Sequence, residues 1–176
     1  LMNENKRHIL LVDDDPVLLR MYHAGLTQRG FEVETASDGL EAIRAARART
    51  PDAVVLDIMM PKFTGVDFLK FFRGQPQFAD VPVVVLSNSY MNDLGARAVA
   101  LGVQQALLKM CTSPSLLAEL LVDIFQGRQP ELDRSVLLAV PEEVATGAAD
   151  TSVSEPERLA RSPVKTVESE ANRLRS

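Results

Sequence analysis

Short apolar runs and longer amphipathic segments alternate along the first 126 residues. The apolar runs are rich in β-branched residues, which is typical of strands buried on both faces of a parallel sheet. They lie at 9–12, 31–35, 53–56, 81–86 and 106–108. Segments with helical spacing of apolar residues separate them, at 16–28, 39–48, 65–72, 90–100 and 114–125. The alternation predicts an α/β fold whose parallel sheet is covered by helices on both sides.

Residues that favour helix ends lie at the borders of these segments. Pro16 and Pro114 fit first-turn positions, where Asp15 and Ser113 precede them as candidate N-caps. Glycines stand where helices should stop, at positions 30, 74, 102 and 127. The predicted helices therefore have sequence signals at their ends as well as along their length.

The distribution of large side chains sets the expected domain boundaries. All aromatic residues, seven Phe and two Tyr, lie between Tyr22 and Phe125. We therefore predict one domain over 8–126. Residues 1–7, in which Leu1 stands before the methionine, are expected to be a leader left by cloning. The segment 127–176 is interrupted by prolines and is expected to be mostly disordered, or to form a short helix near 163–175.

Composition and charge exclude several classes of protein. The net charge of −5 and the pI of about 5.1 argue against nucleic acid as the main partner. A single cysteine, Cys111, excludes a disulfide framework and a thiolate zinc site, and favours a reducing compartment. No apolar stretch approaches the ~20 residues of a membrane helix, and no export leader opens the chain. We expect a cytoplasmic protein without a membrane partner.

Polar residues follow the predicted strands at the edge where their carboxyl ends meet. Asp13, Asp14 and Asp15 follow the first strand, Asp57 the third, and Ser87 and Lys109 the fourth and fifth. Ligands bind at this edge in open α/β sheets. Clustered carboxylates attract a hard cation such as Mg²⁺, and a carboxylate beside it can attack phosphorus. An ammonium and a hydroxyl can stabilise the developing charge, so the pattern predicts phosphoryl transfer onto an aspartate.

The motifs that carry these residues resemble one known family. They are Ile-Leu-Leu-Val-Asp-Asp-Asp-Pro (9–16), Leu-Asp-Ile-Met-Met-Pro-Lys-Phe-Thr-Gly (56–65), Val-Val-Leu-Ser (84–87) and Leu-Leu-Lys (107–109). In this order they resemble the receiver domain of bacterial two-component response regulators. The resemblance implies a flavodoxin-like, doubly wound (βα)5 sandwich whose parallel five-stranded sheet has the order 2-1-3-4-5, followed by a C-terminal extension.

The resemblance also implies a role for each matching residue. Asp57 would be the phosphoacceptor, and Lys109 would pair with the phosphoryl group. Asp14, Asp57 and the backbone carbonyl of Met59 would hold Mg²⁺, with Asp13 reaching the metal through water. Ser87 would hydrogen-bond the phosphoryl group and act as the switch residue.

Three features depart from the family's usual pattern. Met110 stands where receivers usually carry a proline after a cis peptide bond, so we predict a trans or rearranged Lys109–Met110 link. Ala106 replaces the aromatic residue that often takes part in the switch, and Tyr90 is a candidate substitute. Met59 and Ser89 flank the expected path of the attacking water without a charge to orient it, which predicts slow self-dephosphorylation.

The resulting hypothesis is a phosphorylation-controlled interaction module rather than an enzyme. A histidine kinase or phosphotransfer protein would donate the phosphoryl group, and a downstream protein effector would bind the changed surface. Pairing of two copies is a further family pattern, and no DNA-binding output domain is expected in 127–176. One alternative is a degenerate receiver that binds partners without phosphorylation. The other is a haloacid-dehalogenase-like phosphatase that uses Asp13 as nucleophile and Asp15 as acid–base.

Overall fold

The computed structural model describes residues 6–88 and 93–129, with the backbone alone for 93–95. The strands are β1 (His8–Val12), β2 (Glu32–Ala36), β3 (Ala53–Asp57), β4 (Val83–Ser87) and β5 (Gln105–Leu108). The helices are α1 (Pro16–Gln28), α2 (Gly39–Ala48), α3 (Gly65–Arg73), α4 (Asp93–Ala100) and α5 (Pro114–Phe125). Predicted helices and strands agree with these bounds to within a few residues. The predictions for 127–176 lie almost entirely outside the described residues.

The five strands form one parallel sheet in the order β2-β1-β3-β4-β5. This order and the alternating helices confirm the predicted flavodoxin-like fold. β1 and β3 lie side by side at the centre, and β4 continues the sheet next to β3. The register pairs Asp57 with Leu86 and Ser87 with Leu108. The last residues of β3, β4 and β5 therefore lie at the same edge of the sheet.

Apolar side chains fill both faces of the sheet. On one face, buried residues of α1 and α5, including Tyr22, Leu26 and Leu117, pack against alternate strand residues. On the other face, α2, α3 and α4 cover the remaining strand residues. Here Phe72 stacks between Phe68 and Phe78, with ring centroids 5.1 and 4.5 Å away. Burial on both faces explains why the strands are continuously apolar instead of alternating.

The predicted caps are present at the starts of α1 and α5. The Asp15 side chain accepts hydrogen bonds from the amides of Val17 and Leu18. The Ser113 side chain accepts one from the amide of Leu116. Each cap is followed by proline, whose missing N–H leaves no donor unpaired at that position.

Several local features were not predicted from the sequence. Single 3-10 turns form at Pro76–Phe78 and Lys109–Cys111. His8 is buried, because it begins β1 between two neighbouring strands. Its Nε2 lies 3.0 Å from a carboxylate oxygen of Glu34. No helix among the described residues is long and apolar enough to span a membrane.

Candidate functional site

The first strand delivers a buried carboxylate to the carboxyl edge of the sheet. Asp13 follows β1 directly and is 1% exposed. Its Oδ1 accepts a hydrogen bond of 2.9 Å from the amide of Asp15, while its Oδ2 lies 2.7 Å from Lys109 Nζ. The tight turn between β1 and α1 therefore fixes the orientation of this carboxylate.

A second buried carboxylate comes from the neighbouring central strand. Asp57 is the last residue of β3 and is 3% exposed. Its Oδ1 accepts a hydrogen bond of 3.0 Å from the amide of Met59, and its Oδ2 lies 2.9 Å from Lys109 Nζ. The carboxylate is thus held from one side by the chain that follows β3 and from the other by the ammonium.

Lys109 joins the two carboxylates at the end of β5. It is the first residue of the 3-10 turn Lys109–Cys111, and its side chain is only 4% exposed. Its ammonium bonds to Asp13 and Asp57 at the same time. The buried ammonium offsets the negative charges of the two carboxylates, which would otherwise repel each other.

The pKa values of these groups reflect burial and their partners. Burial alone would lower the pKa of Lys109, but its hydrogen bonds to Asp13 and Asp57 and their charges outweigh it and raise the pKa above 10.5. Burial raises the pKa of Asp13 above 3.8, although the hydrogen bonds from Lys109 and Asp15 oppose that rise. At neutral pH the ammonium therefore stays charged.

The three acidic residues form a donor set that fits a divalent cation. Asp13, Asp14 and Asp57 each offer one carboxylate oxygen, and these oxygens lie within 4.8 Å of one another. Asp13 and Asp57 are buried, whereas Asp14 is exposed at the opening. Hard oxygen donors with one side open to solvent suit Mg²⁺, which usually retains several water ligands. The chemistry of the site therefore agrees with the predicted metal.

The remaining predicted site residues are placed as follows. Ser87 ends β4, is fully buried and pairs in register with Leu108, directly before Lys109. Met59 is 48% exposed beside Asp57. Ala106 is 8% exposed on the sheet face that α2, α3 and α4 cover. Tyr90 and Ser89 lie outside the described residues.

The link after Lys109 is trans. No cis peptide bond occurs within 6–88 and 93–129, which confirms the prediction for Lys109–Met110. Met110 is 73% exposed at the centre of the 3-10 turn.

Sequence reasoning missed the residues that hold this turn. The Tyr22 hydroxyl donates a hydrogen bond of 2.8 Å to the backbone carbonyl of Thr112. The Thr112 hydroxyl donates one of 2.8 Å to the carbonyl of Leu108. A tyrosine among the apolar positions of α1 was the available signal, because a buried phenol usually has a hydrogen-bond partner.

Asp15 does not share the environment of the other acids. Its carboxylate accepts hydrogen bonds from the first amides of α1, at 2.8 Å from Val17 and 3.4 Å from Leu18. The phosphatase alternative requires Asp15 as an acid–base group next to Asp13. A carboxylate occupied as a helix cap is poorly suited to that role.

Comparisons with known proteins agree with the fold. The model of the response regulator receiver domain family matches residues 9–121. The transcriptional regulatory protein PrrA of Mycobacterium tuberculosis is 41% identical over 116 residues, which cover 66% of this chain and 47% of PrrA. The hybrid signal transduction histidine kinase D of Dictyostelium discoideum is 34% identical over 114 residues, or 65% of this chain and 7% of the kinase.

Among solved structures, the chemotaxis protein CheY4 of Vibrio cholerae aligns with a TM-score of 0.63 and 31% identity. The alignment covers 68% of this chain and 98% of that protein. The chain spans about half the length of the PrrA relatives, at 47%.

Proposed function

Because the chain belongs to the response regulator receiver domain family of two-component signalling, we propose that it accepts a phosphoryl group on Asp57. The observation that carries the proposal is the buried Asp57 carboxylate, whose Oδ2 lies 2.9 Å from the Lys109 ammonium beside two further acids. Receiver domains are signalling domains, so the chemistry is expected to be confined to the protein's own phosphorylation and dephosphorylation.

In the proposed reaction, one carboxylate oxygen of Asp57 attacks phosphorus and forms an acyl phosphate. The bond from phosphorus to the donor breaks, and the donor leaves with that electron pair. Lys109 exchanges its bond to Asp57 for one to a phosphoryl oxygen, and Ser87 donates a hydrogen bond to another. These groups stabilise negative charge where it develops.

Mg²⁺ is the proposed cofactor, since receiver domains generally bind it at an acidic pocket and the acids here supply suitable oxygens. Asp14, Asp57 and the backbone carbonyl of Met59 would hold it, and Asp13 would contact it through water. When bound, the cation would neutralise charge on the phosphoryl oxygens.

The proposed partners are a histidine kinase or phosphotransfer protein as donor and a downstream protein as effector. The switch would involve Ser87, with Ala106 at the position where an aromatic side chain is common and Tyr90 as a candidate substitute. The domain limits, 8–126 with the tail 127–176, stay a prediction. Action without a DNA-binding output domain is a second prediction. PrrA is named a transcriptional regulator, and the match covers only 47% of it.

Intact mass measurement after incubation with acetyl phosphate and Mg²⁺ tests this function. We expect one added phosphoryl group on the wild type, none on Asp57→Asn, and an unchanged gain on Asp80→Asn, a matched change at an exposed carboxylate. A gain that persisted in Asp57→Asn but was lost in Asp13→Asn would support the phosphatase alternative. No gain, even with a phosphodonor protein, would support the phosphorylation-independent receiver.

The lifetime of the acyl phosphate provides a second test. Met59, beside Asp57, and Ser89 carry no charged group that could orient the attacking water, so we propose slow hydrolysis relative to fast receivers. A lifetime of seconds after removal of acetyl phosphate would contradict this part of the proposal.

A further inference from the structure

The turn that carries Lys109 gains little support from its own central residue. Met110 is 73% exposed, so its side chain does not anchor the turn against the core. Lys109 nevertheless has to hold its ammonium within 2.7 and 2.9 Å of two carboxylates. Cys111, the last residue of the turn, packs against both apolar clusters, and hydrogen bonds from the residue that follows add a further restraint.

Thr112 closes the turn through its side chain and its backbone. Its hydroxyl donates to the Leu108 carbonyl at 2.8 Å, and its amide donates to the Lys109 carbonyl at 3.2 Å. Thr112 is 3% exposed, so these bonds form where water does not compete. The two acceptors lie directly before and at the functional lysine.

Tyr22 connects this closed turn to α1. The side chain is fully buried, and its hydroxyl donates to the Thr112 carbonyl at 2.8 Å. The helix that carries Tyr22 begins directly after the acidic residues Asp13 to Asp15. One hydrogen bond therefore joins the segment that holds the acids to the segment that holds the ammonium.

Contacts beyond this hydrogen bond, further along the chain in both segments, hold α1 against α5. A Cβ added at Gly25 would lie 2.3 Å from the Cβ of Pro114, so the glycine leaves space for the first residue of α5 to pack closely against α1. One turn further, Arg29 lies 3.5 Å from Glu119. Tyr22 thus lies on a face of α1 that packs against α5.

We propose that Tyr22 is a positioning residue for Lys109, acting through Thr112 to hold the 3-10 turn Lys109–Cys111 in register with Asp13 and Asp57. This inference rests on the proposed phosphoacceptor function and adds a residue outside the acidic pocket to it. Since the Tyr22 hydroxyl donates to the Thr112 carbonyl, its effect is expected where Lys109 contributes.

Tyr22→Phe in the full chain tests the proposal because it removes only the hydroxyl. We expect the rate constant for Asp57 phosphorylation by acetyl phosphate to fall about fivefold, as suits the loss of one buried hydrogen bond. The Mg²⁺ concentration that gives half the maximal rate should not change. In a Lys109→Ala background, Tyr22→Phe should cause no further loss of rate.

Phe72→Leu is the matched control, because it trims a fully buried ring on the opposite face of the sheet. It should lower the melting temperature without reproducing the loss of rate. A loss of rate in Tyr22→Phe that persisted at full size in the Lys109→Ala background, or that Phe72→Leu also produced, would overturn the positioning role.

A measurement that does not depend on phosphorylation separates this proposal from the proposed function. The NMR signal of the Lys109 ammonium should shift and exchange faster with solvent in Tyr22→Phe, and remain unchanged in Phe72→Leu. An unchanged ammonium signal in Tyr22→Phe overturns the positioning role even if Asp57 is phosphorylated normally. A shifted signal in a protein that takes up no phosphate supports the positioning role and refutes the proposed function instead.

Discussion

Gly65 lies against Asp57 so closely that a Cβ on the glycine would be 2.3 Å from the Asp57 backbone oxygen. The same Cβ would be 2.8 Å from the Cα of Ile58. The Gly65 amide also donates a hydrogen bond of 3.1 Å to the Ile58 carbonyl. The start of α3 therefore packs directly on the backbone of the proposed phosphoacceptor, with no space for a side chain.

Gly65→Ala should destabilise the protein by about 3 kcal/mol, because backbone atoms cannot give way as side chains do. Chemical denaturation measures this change. Gly74→Ala is the matched control, since its added Cβ would be 3.2 Å from the nearest atom and its φ of −74° suits alanine. We expect Gly74→Ala to lower the free energy of unfolding by less than about 1 kcal/mol. Equal costs for the two variants would refute the argument from close contact.

Lys109→Met should lower the free energy of unfolding at neutral pH by about 3 kcal/mol, since it leaves two buried carboxylates without their cation. Because the hydrogen bond and charge of Lys109 oppose the rise that burial causes in the pKa of Asp13, their loss raises that pKa further, and the variant should recover stability as pH falls and this carboxyl becomes neutral. Denaturation midpoints measured across acidic pH follow this recovery. Lys70→Met, at an exposed lysine, serves as control. A Lys109→Met protein as stable as that control would contradict the prediction.

Burial, with a smaller contribution from Asp13, raises the pKa of Tyr22 to about 12 from 10.0. The folded protein therefore holds this proton more tightly than the unfolded chain does. The resulting stability is fully present below about pH 10 and is lost as pH rises toward about 12. The tyrosinate absorbance of the wild type minus that of Tyr22→Phe isolates this phenol. A midpoint near 10 in the folded protein would show that the hydroxyl is not held as described.

Arg73 binds the backbone on both sides of β4. Its guanidinium donates to the carbonyls of two segments, at Phe78, Ala79, Val81, Leu101 and Gly102. Arg73→Met should lower the free energy of unfolding by about 3 kcal/mol, because several partly buried carbonyls lose their donor together. Arg73→Lys should retain part of the stability that Arg73→Met loses, since an ammonium cannot reproduce the planar set of donors of a guanidinium. Thermal or chemical denaturation measures these changes, with Arg44→Met at an exposed arginine as the control. An Arg73→Met protein as stable as that control would contradict the prediction.

Mg²⁺ should stabilise the folded protein, because the three acidic residues come together only when the strands of the sheet are assembled. At ten times its dissociation constant, the cation should add about 1.4 kcal/mol to the free energy of unfolding, and chelation should remove it. Asp14→Asn should lose most of this gain, whereas the exposed Asp80→Asn should keep it. Differential scanning calorimetry with and without Mg²⁺ measures the effect. A full gain in Asp14→Asn would argue against its role as a ligand.

Much of the fold could be predicted from the sequence because its signals are local. The apolar run 53–56 and the caps Asp15 and Ser113 depend on neighbouring residues, and the structure has them where they were predicted. The gathering of Asp13, Asp57 and Lys109 also followed, since parallel strands end at one edge. The strand order itself came from resemblance to the family, because a series of β–α units is compatible with more than one order.

Only the tertiary structure decided the contacts between residues that lie far apart in the chain. The sequence presents Tyr22 as one more apolar position of α1, yet its hydroxyl reaches Thr112, 90 residues away. It presents Gly65 as the end of a motif, yet the reason for glycine is the backbone of Asp57 beneath it. Periodicity and caps arise from interactions within a few residues, whereas these distances depend on how helices pack against a completed sheet.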